Sequence, residues 1–356
     1  MTRIVAIRSA FPAHRHPQPE LTRAYTELSG LDPARHALLQ RLHGNSGVDT
    51  RHIALPLPDY RTVRGVEASN DRYIDAALDL GERALRSALE SAGLTGGDLD
   101  LLIVTSVTGV AVPSLDARLI PRLGLRADVK RLPIFGLGCV AGAAGLGRLH
   151  DYLLGWPRHT AALVAVELCS LCWPMGEVST ADIVVSGLFG DGAAAVIGAG
   201  PARPAGRADD GRLPRVVATR SEVYPGSGDT LGWRLGADGF RIVLTAELAD
   251  VVEQRLNESV TSFLAGHGLT VDDISTWMCH PGGPRVIDAV QKSLKLPDSA
   301  VEVSRRSLAE VGNMSSVSVL HILDKVISTC PPPPGSAGLM IGLGPGVSAE
   351  LILMRW

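Results

Sequence analysis

Three polar side chains stand at glycine-rich junctions of otherwise apolar segments. Cys139 lies in Gly136-Leu137-Gly138-Cys139-Val140-Ala141-Gly142, His280 in Cys279-His280-Pro281-Gly282-Gly283-Pro284, and Asn313 in Gly312-Asn313-Met314-Ser315-Ser316. Cys139 closes an apolar run, Leu132 to Phe135, and opens a helical stretch. That placement predicts a sulfur at a helix N-terminus, where unpaired N–H groups and the helix dipole lower a thiol pKa. A cysteine with a distant histidine and asparagine is a nucleophile constellation. The amide of Asn313 is no acid or base at neutral pH, but its NH2 can stabilise a developing oxyanion or enolate. Each residue alone has a plainer reading: a buried cysteine as a small hydrophobe, a hydrogen-bonded core histidine, a helix-capping asparagine. Together, at the kind of junction where α/β scaffolds expose working groups, they point to covalent catalysis.

The elements that must position them alternate. Short Val/Ile/Leu-rich strands are predicted at Arg3 to Ala10, Leu99 to Val107, Ala161 to Leu168, Ala193 to Gly198, Val216 to Val223, Ala337 to Gly342 and Ala349 to Met354. Helical patterns fit Tyr73 to Ala92, Gly142 to Leu154, Ala246 to Gly266, Arg285 to Leu294 and Asn313 to Ser328. Such alternation predicts an α/β fold with sheets buried between helix layers. The composition shifts at Gly198 to Pro214, rich in Ala, Gly, Pro and Arg, which reads as a linker between halves 1–205 and 206–356. A faint repeat supports duplication. Gly138-Cys139 and Gly312-Asn313 each precede small residues and a helix, while Gly190-Asp191-Gly192 (read as a turn) and Gly344-Pro345-Gly346 each precede a strand.

The bulk properties fit a soluble enzyme. A chain of 356 residues can bury a large core, and a net charge of -3 gives no reason to expect nucleic acid or an anionic membrane as partner. Five cysteines without a regular framework suggest a reducing cytosol. No signal-peptide pattern opens the chain, and no apolar run reaches the roughly 18 residues of a membrane span, so a cytoplasmic location is expected. Cys169 and Cys172 form a Cys-x-x-Cys, but no second ligand pair has zinc spacing, and Cys169 ends a buried-looking strand. The Gly342-Leu343-Gly344-Pro345-Gly346 loop precedes a strand pattern rather than a helix, so it is no dinucleotide fingerprint.

In order along the chain, Gly138-Cys139-Val140-Ala141-Gly142, Val166-Glu167-Leu168-Cys169-Ser170-Leu171, Gly187-Leu188-Phe189-Gly190-Asp191-Gly192-Ala193, His280-Pro281-Gly282-Gly283-Pro284, Gly312-Asn313-Met314-Ser315-Ser316 and the last glycine loop resemble the type III polyketide synthases, the chalcone-synthase-like branch of the thiolase superfamily. The resemblance implies a thiolase-like five-layered αβαβα fold of two duplicated halves, in which two helix N-termini face one another and bring Cys139 near Asn313. It implies that Cys139 carries an acyl chain from an acyl-CoA, that His280 stabilises the thiolate, and that Asn313 assists decarboxylation of malonyl-CoA. No metal or redox cofactor is implied; CoA thioesters are the substrates. By the same resemblance Phe189 is a gatekeeper between CoA tunnel and cavity, Cys169 and Cys172 line the cavity, and Gly282 belongs to the substrate-binding set. Arg51 matches a region that uses basic residues on CoA phosphates, although an exposed solvated arginine is the plainer reading. Val112 matches a loop crossing a homodimer interface. Leu343, where the family often has phenylalanine, should alter packing below the site only.

The stretches Gly109 to Arg118, Gly232-Trp233-Arg234 and Asp238-Gly239-Phe240 look like bacterial members that extend fatty acyl starters. Trp173-Pro174-Met175 departs from the continuation associated with tetrahydroxynaphthalene-forming members. The expected product is therefore an alkylpyrone or alkylresorcinol. Three other readings stay open. A ketoacyl-ACP synthase III would want a basic docking patch, and no strong basic cluster is visible; a hydroxymethylglutaryl-CoA synthase would want a glutamate near the cysteine, and the matching segments offer no suitable one; a non-catalytic acyl-CoA-binding scaffold would have no use for all three site residues.

Overall fold

The computed structural model describes residues 1–63, 65–173, 178–204, 213–236 and 239–356. Among these, nine strands form one sheet in the order Ile274–Cys279, Ala337–Gly344, Ser348–Arg355, Arg215–Val223, Thr2–Ala10, Asp191–Ala199, Thr160–Leu168, Leu101–Thr105, Lys130–Ile134. Thr160–Leu168 and Asp191–Ala199 are buried at every position. That is what their near-continuous runs of Val, Ala, Ile and Leu require of strands covered on both faces. The sheet is thin in the middle, where Thr2–Ala10 pairs with Arg215–Val223 only at Thr2 with Val216 and Arg3 with Arg215. It therefore behaves as two half-sheets.

Helices Ala141–Gly155 and Val317–Thr329 fill the space between the half-sheets. Leu146, Leu149, Leu320 and Leu323 meet Ile4 and Leu163 of one half-sheet and Met340 and Ile352 of the other in one buried cluster. Gly65–Ala92 covers the outer face of the first half, with Leu80, Leu85 and Leu89 in its core. Leu248–Ala265 and Pro284–Leu294 cover the second, around Leu256, Val260, Ile287 and Val290. The result is the five-layered thiolase-like arrangement that the resemblance implied.

Two helix starts meet at the centre. A Cβ on Gly142 would stand 2.0 Å from the Ser316 carbonyl oxygen, so only glycine allows the approach. The start of the Cys139 helix is thereby brought against the segment that follows Asn313.

Three sequence expectations change. The strand after Phe189 starts at Asp191, because the Asp191 carboxylate accepts hydrogen bonds from the Ser170 N–H and hydroxyl; Gly190-Asp191-Gly192 is thus no turn. The helix expected from Asn313 starts at Val317, and Asn313 instead forms a parallel bridge with Phe189. The linker cannot begin at Gly198, which lies inside a strand; residues 205–212 of that stretch, with the boundary at 205/206, fall outside the described residues.

Candidate active site

Each of the three site residues sits just beyond regular structure. Cys139 occupies the 3-10 turn Gly138–Val140 that runs straight into helix Ala141–Gly155. The turn is held from below by the last glycine loop. A Cβ on Gly344 would lie 2.7 Å from the Val140 nitrogen, and one on Gly138, at φ +60°, would lie 2.8 Å from the Pro345 ring. His280 follows strand Ile274–Cys279, and its N–H donates to the Ile341 carbonyl at 2.9 Å, extending the ladder by one residue. Asn313 is fixed by its backbone: its N–H donates to Leu188 O and its carbonyl accepts from Gly190 N, both at 2.9 Å.

These elements deliver Cys139, His280, Asn313, Phe189 and Gly282 to the wall of one cavity of about 30 Å³, completed by aliphatic side chains of Leu231, Ile242, Leu244 and Leu248 among others. That is room for about one water molecule. The cavity shares Leu188, Leu244, Leu248, Gly282 and Val286 with an open cleft of about 580 Å³ that reaches Asn45, Thr180 and Arg285. A long, flexible substrate in the cleft could present one reactive group to the sulfur. Cys139, His280 and Asn313 are all nearly inaccessible, so this is a dry site where fixed dipoles count for more than in water.

The amide of Asn313 has one orientation. Its Oδ1 accepts from the Ser315 N–H at 2.8 Å and the Ser318 hydroxyl at 3.4 Å, while Nδ2 faces the Gly282 carbonyl at 3.5 Å. Oδ1 is thus occupied, Nδ2 donates to the Gly282 carbonyl, and its second N–H is left for a substrate oxygen. This side chain caps the turn before the helix, so the capping and catalytic readings are compatible.

Burial dominates the electrostatics. It pushes the Cys139 thiol up to about 12, against a hydrogen bond from Ser315, and pushes His280 down to about 4. The expectation that the helix start alone lowers the thiol pKa is therefore corrected: desolvation outweighs it. At neutral pH burial alone keeps both groups uncharged. A thiolate and an imidazolium formed together would carry no net charge, which is the least costly route to a charged sulfur. His280 Nδ1 has no hydrogen-bond partner among the described residues, which leaves the ring untethered on that side.

Glu167 is the polar residue that sequence reading passed over, although a lone acid in the strand Thr160–Leu168 was a visible signal. It is wholly buried. One carboxylate oxygen accepts from Val107 N and Thr108 Oγ1, both at 3.0 Å, and from Ser106 Oγ at 3.4 Å. The other accepts from Ser316 Oγ at 2.6 Å and Ser315 Oγ at 3.4 Å. Glu167 thus ties the first half to the segment beside Asn313, and Ser315 links it to the Cys139 sulfur.

Other expected site residues fall differently. Arg51 is fully buried, with Nε donating to Gln18 Oε1 at 3.0 Å and Nη1 to the Phe189 carbonyl at 2.6 Å. It is neither exposed nor free to meet a CoA phosphate; its Nη1 is turned inward to a backbone carbonyl that no strand ladder satisfies, and its Nη2 is buried without a partner among the described residues. Cys169 and Cys172 follow strand Thr160–Leu168 on a 3-10 turn and are not among the side chains lining the Cys139 cavity. Cys169 packs in the same apolar cluster as Cys139 and Phe189, and Cys172 Sγ donates to the Thr108 carbonyl at 3.4 Å. All five cysteines are unpaired thiols. Leu343 lines the cavity itself, so the departure from phenylalanine reaches the site rather than the packing below it. Val112 is 89% exposed on its loop.

The chain matches the family models for chalcone and stilbene synthases, the N-terminal domain over residues 1–201 and the C-terminal domain over 215–356. A 1,3,6,8-tetrahydroxynaphthalene synthase of Streptomyces peucetius subsp. caesius is 52% identical over 355 residues, spanning 100% of this chain and 93% of the relative. A phloroglucinol synthase of Pseudomonas fluorescens is 31% identical over 97% of each chain. Among solved structures, the 1,3,6,8-tetrahydroxynaphthalene synthase of Streptomyces coelicolor A3(2), described as a bacterial type III polyketide synthase, superposes with a TM-score of 0.91 at 31% identity, covering 99% of both chains.

Proposed function

This chain belongs to the chalcone and stilbene synthases, the type III polyketide synthases, and from that premise we propose that Cys139, His280 and Asn313 carry its condensing chemistry on CoA thioesters. The observation that carries this reading is the convergence of the three on one cavity, with one Asn313 N–H beyond its bond to Gly282 left as a donor. As an acyl-CoA enters, His280 takes the Cys139 proton, the thiolate attacks the thioester carbonyl, and CoA leaves as its thiol with that proton. Malonyl-CoA then loses CO2. Asn313 hydrogen-bonds the enolate oxygen so formed, and the enolate carbon attacks the Cys139-bound acyl group, releasing the Cys139 thiolate; one proton taken up from solvent, held by His280, restores the pair for another cycle. The Ser315 hydroxyl is placed to stabilise that thiolate. No step calls for a metal or a redox group.

The product we propose is a malonyl-derived aromatic built on a small starter, as the names of the tetrahydroxynaphthalene and phloroglucinol synthases suggest. The confined space at Cys139 supports a small starter. This replaces the alkylpyrone or alkylresorcinol expectation as the first choice. One observation keeps that second reading in play: Trp233 and Phe240, from the stretches that suggested it, line with Val107, Phe135 and Leu235 an apolar cavity of about 640 Å³, ample for an acyl chain.

We further propose a homodimer in the cytoplasm. The strand Lys130–Ile134 is an exposed sheet edge, and Leu132, Phe135, Leu137 and Val112 place large apolar side chains in solvent beside or beyond it. Unpaired cysteines suit a reducing compartment, and among the described residues no helix is long and apolar enough to cross a membrane.

Mass spectrometry of products from purified protein tests the reading. Malonyl-CoA alone should give an aromatic polyketide; pyrones or resorcinols formed only with long acyl-CoA starters would select the second reading. A single ketoacyl product that requires malonyl-ACP would overturn both.

A further inference from the structure

The guanidinium of Arg51 is a buried cation with no substrate to meet, and its position in the fold is unusual. The four residues Gly187 to Gly190 leave helix Thr180–Leu188 and cross to the strand at Asp191, without a ladder of their own except the single bridge to Asn313. Their polar groups are nonetheless taken one by one. Gly187 O accepts from Gln18 Nε2 at 2.6 Å, and Leu188 O from Asn313 N at 2.9 Å. Phe189 O accepts from Arg51 at 2.6 Å, and Gly190 N donates to Asn313 O at 2.9 Å. Arg51 and Gln18 are themselves joined at 3.0 Å, so one side-chain pair holds two carbonyls of the crossing.

The same arginine touches the Asn313 side. A Cβ on Gly312 would stand 2.8 Å from Leu188 O and 3.0 Å from Arg51 Cγ and Cδ, while one on Gly190 would stand 2.3 Å from Val311 O. The stem of Arg51 therefore packs on the backbone that leads into Asn313 while its head bonds the backbone of Phe189. Burial draws its guanidinium down to about 10 and the nearby Asp191 carboxylate opposes that, so it stays charged at neutral pH. A buried ion is a weak source of stability, but a planar fork with donors in two directions fixes two neighbours at a set angle.

We propose that Arg51, braced by Gln18, is a positioning residue that sets Phe189 and Asn313 relative to Cys139, and so governs the condensation step. The inference rests on the functional reading above. Displacing a reacting geometry by about 1 Å costs on the order of 100-fold in rate. Acyl transfer to Cys139 uses Cys139 and His280, which Arg51 does not touch; decarboxylation and condensation use Asn313.

The test measures two steps in Arg51→Lys and Gln18→Met: acyl loading of Cys139 from an acyl-CoA by intact-protein mass, and malonyl-CoA turnover as kcat and KM. Lysine keeps the charge without the fork. Both variants should load Cys139 within about threefold of wild type, while kcat falls roughly 10- to 100-fold and KM for malonyl-CoA moves less than about threefold. Loading and turnover that fall together would make Arg51 a purely structural residue and overturn the proposal, as would unchanged turnover. If Arg51→Lys does not fold, Gln18→Met decides alone by the same criteria. Wild-type protein that fails to load Cys139 would overturn the functional reading first, and this inference with it.

Discussion

Replacing His280 by alanine should silence Cys139 as a nucleophile even toward a reagent that needs no substrate recognition. Burial pushes the lone thiol up to about 12. At pH 7 a group of that acidity is ionised to about one part in 100,000, against a few per cent for an ordinary cysteine near 8.5. A neighbouring imidazole that accepts the proton removes most of this deficit, since the pair then stays neutral overall. His280→Ala should therefore slow iodoacetamide alkylation of Cys139 at pH 7 by at least about 100-fold, and its rate should climb about tenfold per pH unit up to pH 9. In the wild type the rate should instead be nearly flat over the same range, because proton transfer within the pair neither takes up nor releases a proton. Peptide mass spectrometry reads Cys139 against exposed Cys330 in the same molecule, which cancels differences in reagent. Equal alkylation of Cys139 in both proteins, within about threefold across pH 6 to 8, would refute the coupled-pair reasoning.

Asn313→Ala should keep acyl loading of Cys139 but lose on the order of 100- to 1000-fold in product formation, read from loading and turnover on one preparation. Equal losses in both would remove its assigned role. Gly142→Ala drives a methyl to 2.0 Å from the Ser316 carbonyl, so the two central helices must part. Overpacking of this kind costs about 1–3 kcal/mol or more, visible as a lower urea midpoint, and an unchanged midpoint would contradict the contact. Burial raises the Glu167 carboxyl above its ordinary value, against the hydrogen bonds of Ser316, Val107, Thr108 and Ser106. The folded chain then holds that proton to higher pH than the unfolded chain. Its contribution is complete below the unfolded value of about 4.3 and declines as pH rises through the folded one. Glu167→Gln, whose oxygen can face the Val107 N–H, should remove that decline. Wild-type stability minus variant stability should therefore fall as pH rises, and a value that stays flat or rises would refute the reasoning.

Much of the frame was legible because the strands are short and apolar and alternate with helical patterns. Thr160–Leu168 and Ala141–Gly155 lie within two residues of where the pattern put them. The same local signals misplace Asn313. Its Gly-Asn-Met-Ser-Ser context reads as a helix start, but pairing with Leu188 and Gly190, more than a hundred residues away, holds it in extended backbone. Asp191 likewise reads as a turn residue until the Ser170 N–H finds it. Such partners lie across the fold, beyond the reach of a window of sequence.

Residue types alone determined that a thiol, an imidazole and a carboxamide stand at glycine-rich junctions, because only glycine permits the close approaches at positions 138, 142 and 344. Their chemistry follows from their functional groups. Tertiary structure decided the environment of each. It buried Cys139 and His280 so that neither is charged alone at neutral pH, occupied the Asn313 oxygen so that its NH2 is the end with a donor to spare, and put Leu343 in the wall. It also drew Arg51 into the interior, where its fork meets Gln18 and Phe189 instead of solvent. Desolvation and hydrogen-bond direction depend on what surrounds a group on every side, and that is fixed only when both halves of the chain have packed together.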